Sequence, residues 1–203
     1  MRIVWMGAGE IGLPSLNWLV EESGHDVVGV FTQPDRPVGR KQVVRPSAIK
    51  MLAVDRGIPV FQPGSWKKDP EALGNLRALK PDLIVVMAYG CLWPQAVVDV
   101  ASIACVNLHA SLLPRHRGAS PIQAAILAGD GESGITVMHI AAKLDAGDMI
   151  WKEGLEIGPG ETGGTLHDKL AELGPTALAA VVPKILDGTA PRVAQEDSQV
   201  TYS

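Results

Sequence analysis

Val106-Asn107-Leu108-His109-Ala110-Ser111-Leu112-Leu113-Pro114-Arg115-His116-Arg117-Gly118 decides how this chain is read. The residues leading into it, Ile103, Ala104, Cys105 and Val106, are small or branched and apolar, as in a strand buried within a sheet. Two polar residues, Asn107 and His109, interrupt that run two positions apart. Side chains on a strand alternate with a period of two, so both point to one face. The extended stretch ends by Pro114, after which Arg115, His116 and Arg117 precede the turn-former Gly118. Either polar residue alone reads most simply as a cap on neighbouring backbone. As a pair at the end of a buried strand they point to a ligand, because open α/β sheets bind ligands at that edge. Acyl chemistry needs an amide donor for a carbonyl oxygen and an imidazole base for an attacking amine, and this pair supplies both.

N-terminal to this stretch, beyond a short helix, residues 83–87 form a continuous apolar run expected to be a central parallel strand. It ends in Ala88-Tyr89-Gly90-Cys91-Leu92, whose small residues let a flat ligand meet backbone groups. Earlier strands are expected over 2–6, 27–32 and 57–61. Helices are expected over 13–22, over 47–56 with Ser47 as N-cap, over 70–80 begun by Asp69 and Pro70, and briefly over 94–100. C-terminal to the central stretch, a helix over 121–128 precedes two strands, 135–140 and 149–157, that form an antiparallel hairpin. A final helix over 165–186 starts with Thr165 and Asp168 in capping-box spacing, and the tail from Gly188 is polar, with no sign of a packed element. Strands alternating with helices in this way define a doubly wound α/β domain with a mostly parallel sheet.

Bulk properties agree. A chain of 203 residues makes one ordinary domain, and 46% hydrophobic with 20% charged residues is globular composition. A net charge of -4 argues against a protein coated in nucleic acid, while leaving room for one local basic patch. That patch is the loop from Gln33 to Pro46, where Arg36, Arg40, Lys41 and Arg45 stand against the single acid Asp35. Cys91 and Cys105 lack metal or redox spacing and read as reduced core residues of a cytosolic protein. There is no signal-peptide pattern, and no apolar run reaches membrane-spanning length, so a cytoplasmic location is expected. His25, His139 and His167 have no metal-like partner spacing, so no catalytic metal is expected.

Gly7-Ala8-Gly9-Glu10-Ile11-Gly12 fits the dinucleotide pattern G-x-G-x-x-G and raises a nicotinamide-dependent oxidoreductase as the rival reading. Such an enzyme needs an acid at the end of the second strand to hold a ribose. Phe31, Thr32 and Gln33 stand there instead, and Asp35 comes late, inside a proline turn. The glycines are better explained by a tight strand-to-helix turn close to some ligand.

The ordered set Asn107-Leu108-His109, Ser111-Leu112-Leu113-Pro114, Arg117-Gly118 and Leu144-Asp145-Ala146-Gly147-Asp148 resembles the formyltransferases that use 10-formyltetrahydrofolate. Within that family, the loop Phe31-Thr32-Gln33-Pro34-Asp35-Arg36-Pro37, followed by Gly39-Arg40, is more similar to the branch acting on methionyl-tRNA than to the purine or sugar-nucleotide branches. The similarity covers nearly the whole chain, including Leu170-Ala171-Glu172-Leu173-Gly174 and the closing Val200-Thr201-Tyr202. Departures from the family pattern are Gly7-Ala8-Gly9, Ile11 where an aromatic residue is common, and His116 between the arginines.

The resemblance implies a Rossmann-like formyltransferase fold and formyl transfer to the α-amine of methionyl-initiator tRNA. It implies His109 as general base, Asn107 as donor to the formyl oxygen, and Asp145 as the residue that holds and charge-pairs His109. On the spacing alone, Asp145 and Asp148 would be turn formers. Backbone around Met87, Ala88, Tyr89, Gly90 and Leu92, with the turn Ser111, Leu112, Leu113 and Pro114, would cradle the pterin of the folate. Arg40, supported by Lys41 and Arg45, would meet tRNA phosphates. Residues 1–189 would be the catalytic domain, acting as a monomer, and 190–203 the start of a linker to a C-terminal β-barrel domain. An amino-sugar nucleotide acceptor, and a folate-binding module without turnover, remain as alternatives.

Overall fold

The computed structural model describes residues 1–38 and 42–203. In chain order its elements are β1 (Arg2–Gly7), α1 (Leu13–Glu21), β2 (Asp26–Phe31), β3 (Arg36–Val38), β4 (Val43–Arg45), α2 (Ala48–Asp55) and β5 (Val60–Phe61). There follow α3 (Pro70–Ala78), β6 (Leu83–Met87), α4 (Gln95–Val98), β7 (Ala104–His109), α5 (Pro121–Ala128), β8 (Glu132–His139), β9 (Met149–Glu156) and α6 (Gly163–Leu186).

One sheet of seven strands runs in the order β5-β2-β1-β6-β7-β8-β9. β5, β2, β1, β6 and β7 are mutually parallel, and β8 and β9 extend the sheet antiparallel. The chain winds outward from β1 to β5 and then returns to the other side of β1 as β6. The strand order therefore reverses between β1 and β6, which opens a crevice at their carboxyl ends. Residues alternate between two cores. Trp5, Val85, Val106 and Leu108 face α1 and α6, while Met6, Ile84, Val86 and Cys105 face Leu76 of α3 and Val97 of α4. Asn107 and His109 alternate with Val106 and Leu108, so they share the Cys105 face. β6 is buried along its whole length, as its unbroken apolar sequence requires.

The caps follow local chemistry. Ser47 accepts the Lys50 amide at 3.2 Å, and Asp69 accepts those of Glu71 and Ala72. α6 starts earlier than its Thr165–Asp168 spacing suggests. Thr162 is the extended N-cap residue, and it exchanges hydrogen bonds with Thr165, which draws Gly163 and Gly164 into the first turn.

Two expectations are corrected. The basic, proline-punctuated segment is not an open loop, because β3 and β4 pair as a short antiparallel ribbon with Arg36 opposite Arg45. The polar tail is not free of the domain. Val193 exchanges backbone hydrogen bonds with Met149, and Arg117 does so with Thr201 and Ser203. Polar sequence hid this docking because it is made by main-chain atoms and amide side chains rather than by apolar burial.

The glycines of the first turn are explained by protein contacts. A Cβ on Gly7 would meet the Met87 carbonyl oxygen, and one on Gly12 would meet the Trp5 ring. The Ala8 amide already donates to the Ala88 carbonyl at 3.3 Å. The turn is a close backbone approach between β1 and β6, which removes the main support for a dinucleotide site.

Candidate active site

β7 lies between β6 and β8, opposite Val86 on one side and Met138 on the other at Asn107. Its carboxyl end delivers His109, 6% exposed, to the floor of the crevice. His109 Nε2 donates to the His116 carbonyl at 2.8 Å. A carbonyl only accepts, so Nε2 carries a proton and Nδ1 is the nitrogen free to exchange one. Nδ1 faces Asp145 Oδ2 at 3.8 Å. The Asp145 carboxylate is itself fixed by the Gly118 amide at 2.9 Å, and its backbone is left-handed, with φ 47°. The structure thus brings together two residues 36 positions apart in sequence. Asn107 stands on the same face as His109 and is half-buried, and its amide makes no hydrogen bond among the described residues.

The loop after β6 presents Ala88 and Gly90 to the surface, both with positive φ (51° and 81°), while Leu92 is exposed. Met87 points away into the core against Ser15. Tyr89 is buried, its hydroxyl has no partner among the described residues, and burial pushes its phenol up to about 12, so it is no base near neutrality. In the 111–114 turn, Ser111 Oγ donates to the Arg115 carbonyl at 2.6 Å, Leu113 packs in a small cluster with Met138 and Met149, and Leu112 is half-buried. Pro114 follows a cis peptide bond. At these sites the chain can offer a ligand mainly backbone groups, with few free side chains.

Gln33, at the end of β2, donates to the Tyr89 carbonyl at 2.9 Å and so ties the start of the basic ribbon to the β6 loop. Lys50 and Gln62 clasp Asp35 at 2.7 Å each, and the Lys50 ammonium beside it holds the Asp35 carboxyl below its usual range. The ribbon therefore springs from the same sheet edge as Asn107 and His109. Arg45 is exposed on it; Arg40 and Lys41 lie outside the described residues.

Three supporting residues were not singled out from sequence. Thr136 of β8, fully buried, donates to the Ser111 carbonyl at 2.7 Å and accepts the Leu113 amide at 3.1 Å. Asp130 accepts the His116 ring Nε2 at 2.6 Å and pairs with Arg115, lining a cavity of about 260 Å³ with Leu112 and Ser133. Burial works against the Asp130 charge, but the His116 ring and the Arg115 guanidinium outweigh it and hold the carboxyl below its ordinary value. Gln195 bridges Arg117 to the Asp145 loop. The alternation within the 135–140 run places Thr136 on a definite face, but no spacing pattern marks Asp130 or Gln195.

Fold and sheet edge together define an α/β domain of the formyltransferase type. It superposes on glycinamide ribonucleotide transformylase 1 from Symbiobacterium toebii with a TM-score of 0.78 at 19% identity, over 96% of this chain and 93% of that one. The phosphoribosylglycinamide formyltransferase from Bacillus halodurans matches with a TM-score of 0.76 at 22% identity, over 92% and 95% of the two chains. The chain belongs to the formyl transferase family, which it matches over residues 1–182. It is 55% identical over all 203 residues to the methionyl-tRNA formyltransferase of Akkermansia muciniphila, and 50% identical to that of Pseudomonas putida strain GB-1. It spans 64% and 65% of the lengths of those two relatives. Among the described residues no group of three or more His, Cys, Asp or Glu could hold a metal ion, and no helix is long and apolar enough to cross a membrane.

Proposed function

We propose that residues 1–189 form a catalytic domain that transfers the formyl group of 10-formyltetrahydrofolate to the α-amine of methionyl-initiator tRNA. The observation that carries this reading is the meeting of Asn107, His109 and Asp145 at the carboxyl edge of the sheet, in a chain 55% identical over its whole length to a methionyl-tRNA formyltransferase. An amine entering beside His109 meets the Nδ1 lone pair and the Asp145 carboxylate, and loses its proton to the imidazole as its nitrogen attacks the formyl carbon. The formyl oxygen gains the charge, and the free amide of Asn107 donates to it. Collapse breaks the bond to the folate nitrogen, which leaves with the proton returned by His109. Exposed residues Ala88 and Gly90 after β6, together with the 111–114 turn after β7, support a flat pterin in the crevice. The Arg36–Arg45 ribbon supports contact with tRNA phosphates, because two like charges placed opposite each other are relieved by an anion.

The test is formyl transfer from 10-formyltetrahydrofolate to purified methionyl-initiator tRNA, with an amino-sugar nucleotide as competing acceptor. Transfer to tRNA that falls about 100- to 10,000-fold in His109→Asn and in Asp145→Asn, with cooperative unfolding retained, is the expected result. Transfer only to the sugar nucleotide, or wild-type rates in either variant, would overturn it.

A further inference from the structure

Gln195 is the one residue between 191 and 199 that is not exposed, and it uses its whole hydrogen-bonding capacity at the site. Its Oε1 accepts two hydrogen bonds from Arg117, from Nε at 3.0 Å and from a terminal nitrogen at 2.7 Å. Its Nε2 donates to the carbonyls of Asp145 and Gly147, each at 2.9 Å. These partners belong to two separate loops. Arg117 follows His116, whose carbonyl holds His109, and precedes Gly118, whose amide holds Asp145. Asp145 and Gly147 lie on the β8–β9 connection, where Asp145 is held in a left-handed conformation that non-glycine residues adopt infrequently. Something must enforce that conformation, and the carbonyl of Asp145 itself is bonded by Gln195.

We infer that Gln195 is a positioning residue for the formyl-transfer reaction: its side-chain amide locks the Arg117 loop to the Asp145 loop and thereby sets the His109–Asp145 separation. This rests on the function proposed above. Arg117 is 1% exposed and its other terminal nitrogen is buried without a partner. Its one acidic contact among the described residues, Asp197, is 3.9 Å away and largely exposed. Gln195 is therefore the main acceptor of a buried guanidinium and at the same time the donor to the catalytic loop. Only a side chain that accepts at one end and donates twice at the other does both, which is the chemistry of a primary amide.

Gln195→Glu separates the two halves. A carboxylate keeps and strengthens the Arg117 contact but faces the Asp145 and Gly147 carbonyls with no donor. The 203-residue chain carrying Gln195→Glu should unfold close to the wild-type temperature, with KM for 10-formyltetrahydrofolate within about threefold of wild type. Its kcat should fall by about 100-fold, the scale of an ångström-level misplacement of catalytic groups. Gln195→Met, which loses both halves, should show the same kcat defect together with a lower unfolding temperature. In an Asp145→Asn background Gln195→Glu should cost less than tenfold, because the two act through one group. Hydrogen exchange at the amides of residues 145–148 should accelerate in Gln195→Glu while α6 is unchanged, a readout independent of any reaction. An inactive wild-type chain would sink the proposed function, and the exchange result would then decide the positioning inference alone. Unchanged kcat and exchange in Gln195→Glu, or a loss fully additive with Asp145→Asn, would overturn it.

Discussion

His109 gives its Nε2 proton to the carbonyl of His116, seven residues on, at 2.8 Å, and this bond decides which nitrogen is available for chemistry. With Nε2 occupied, Nδ1 points at Asp145, and the imidazole and the carboxylate proposed to act together are held by the same 116–118 loop. The His116 ring is anchored behind by Asp130, so the orientation of one histidine depends on the other. His116 therefore serves the site twice, through its main-chain carbonyl on His109 and through the ring contact with Asp130 that fixes the loop carrying that carbonyl.

Asn107 is the cleanest test of charge stabilisation, because its amide is committed to nothing else among the described residues. Asn107→Ala should lower kcat by about 100- to 1,000-fold, or about 2.7–4 kcal/mol, the loss typical of removing one oxyanion donor. Thermal unfolding should barely move, since no internal hydrogen bond is broken. Single-turnover formyl transfer and calorimetry on the same preparation check both halves.

The like-charged pair across the ribbon predicts an opposite profile for Arg45→Ala. Removing one of two facing arginines relieves repulsion, so stability should hold or rise slightly. The concentration of methionyl-tRNA needed should increase, and the slope of log affinity against log salt should flatten by about one. An unchanged salt slope would mean that Arg45 touches no phosphate.

Gly147 allows the Asp145 loop to pass against β8. A Cβ there would drive into the His139 carbonyl oxygen, so Gly147→Ala must displace the loop. Both the unfolding temperature and formyl transfer should drop, the latter by about 100-fold. Full activity in this variant would show that the Asp145 position tolerates movement.

His139 predicts a pH dependence of stability. Burial, and then the Arg192 charge, pull its ring below the ordinary value of 6.5, and its Nε2 has no partner among the described residues. The unfolded chain therefore takes up this proton more readily than the folded one. The contribution is present above about pH 6.5 and is lost as the pH falls through the lowered folded value. Urea unfolding of wild type and His139→Leu between pH 7.5 and about pH 5 should show the variant gaining relative stability as the pH falls. Parallel curves would remove His139 as a source.

The sequence by itself determined the alternation of strands and helices, the helix starts at Ser47 and Asp69, and the pairing of Asn107 with His109 on one strand face. These are local facts, set by side-chain period and by which residues can accept an orphan backbone amide. It also placed β8 and β9 as a hairpin, because a turn separates two runs of strand-forming residues. What only the tertiary structure decided is everything that joins distant segments through backbone groups. The His116 carbonyl on His109, the Gly118 amide on Asp145, and the β3–β4 ribbon leave no mark in hydropathy. The same is true of Gln195, which reaches back 78 positions to Arg117 from a tail whose polarity suggested a free linker. A hydrogen bond between a side-chain amide and a remote carbonyl has no periodicity and no composition. It exists only once the sheet has brought the two loops to the same edge.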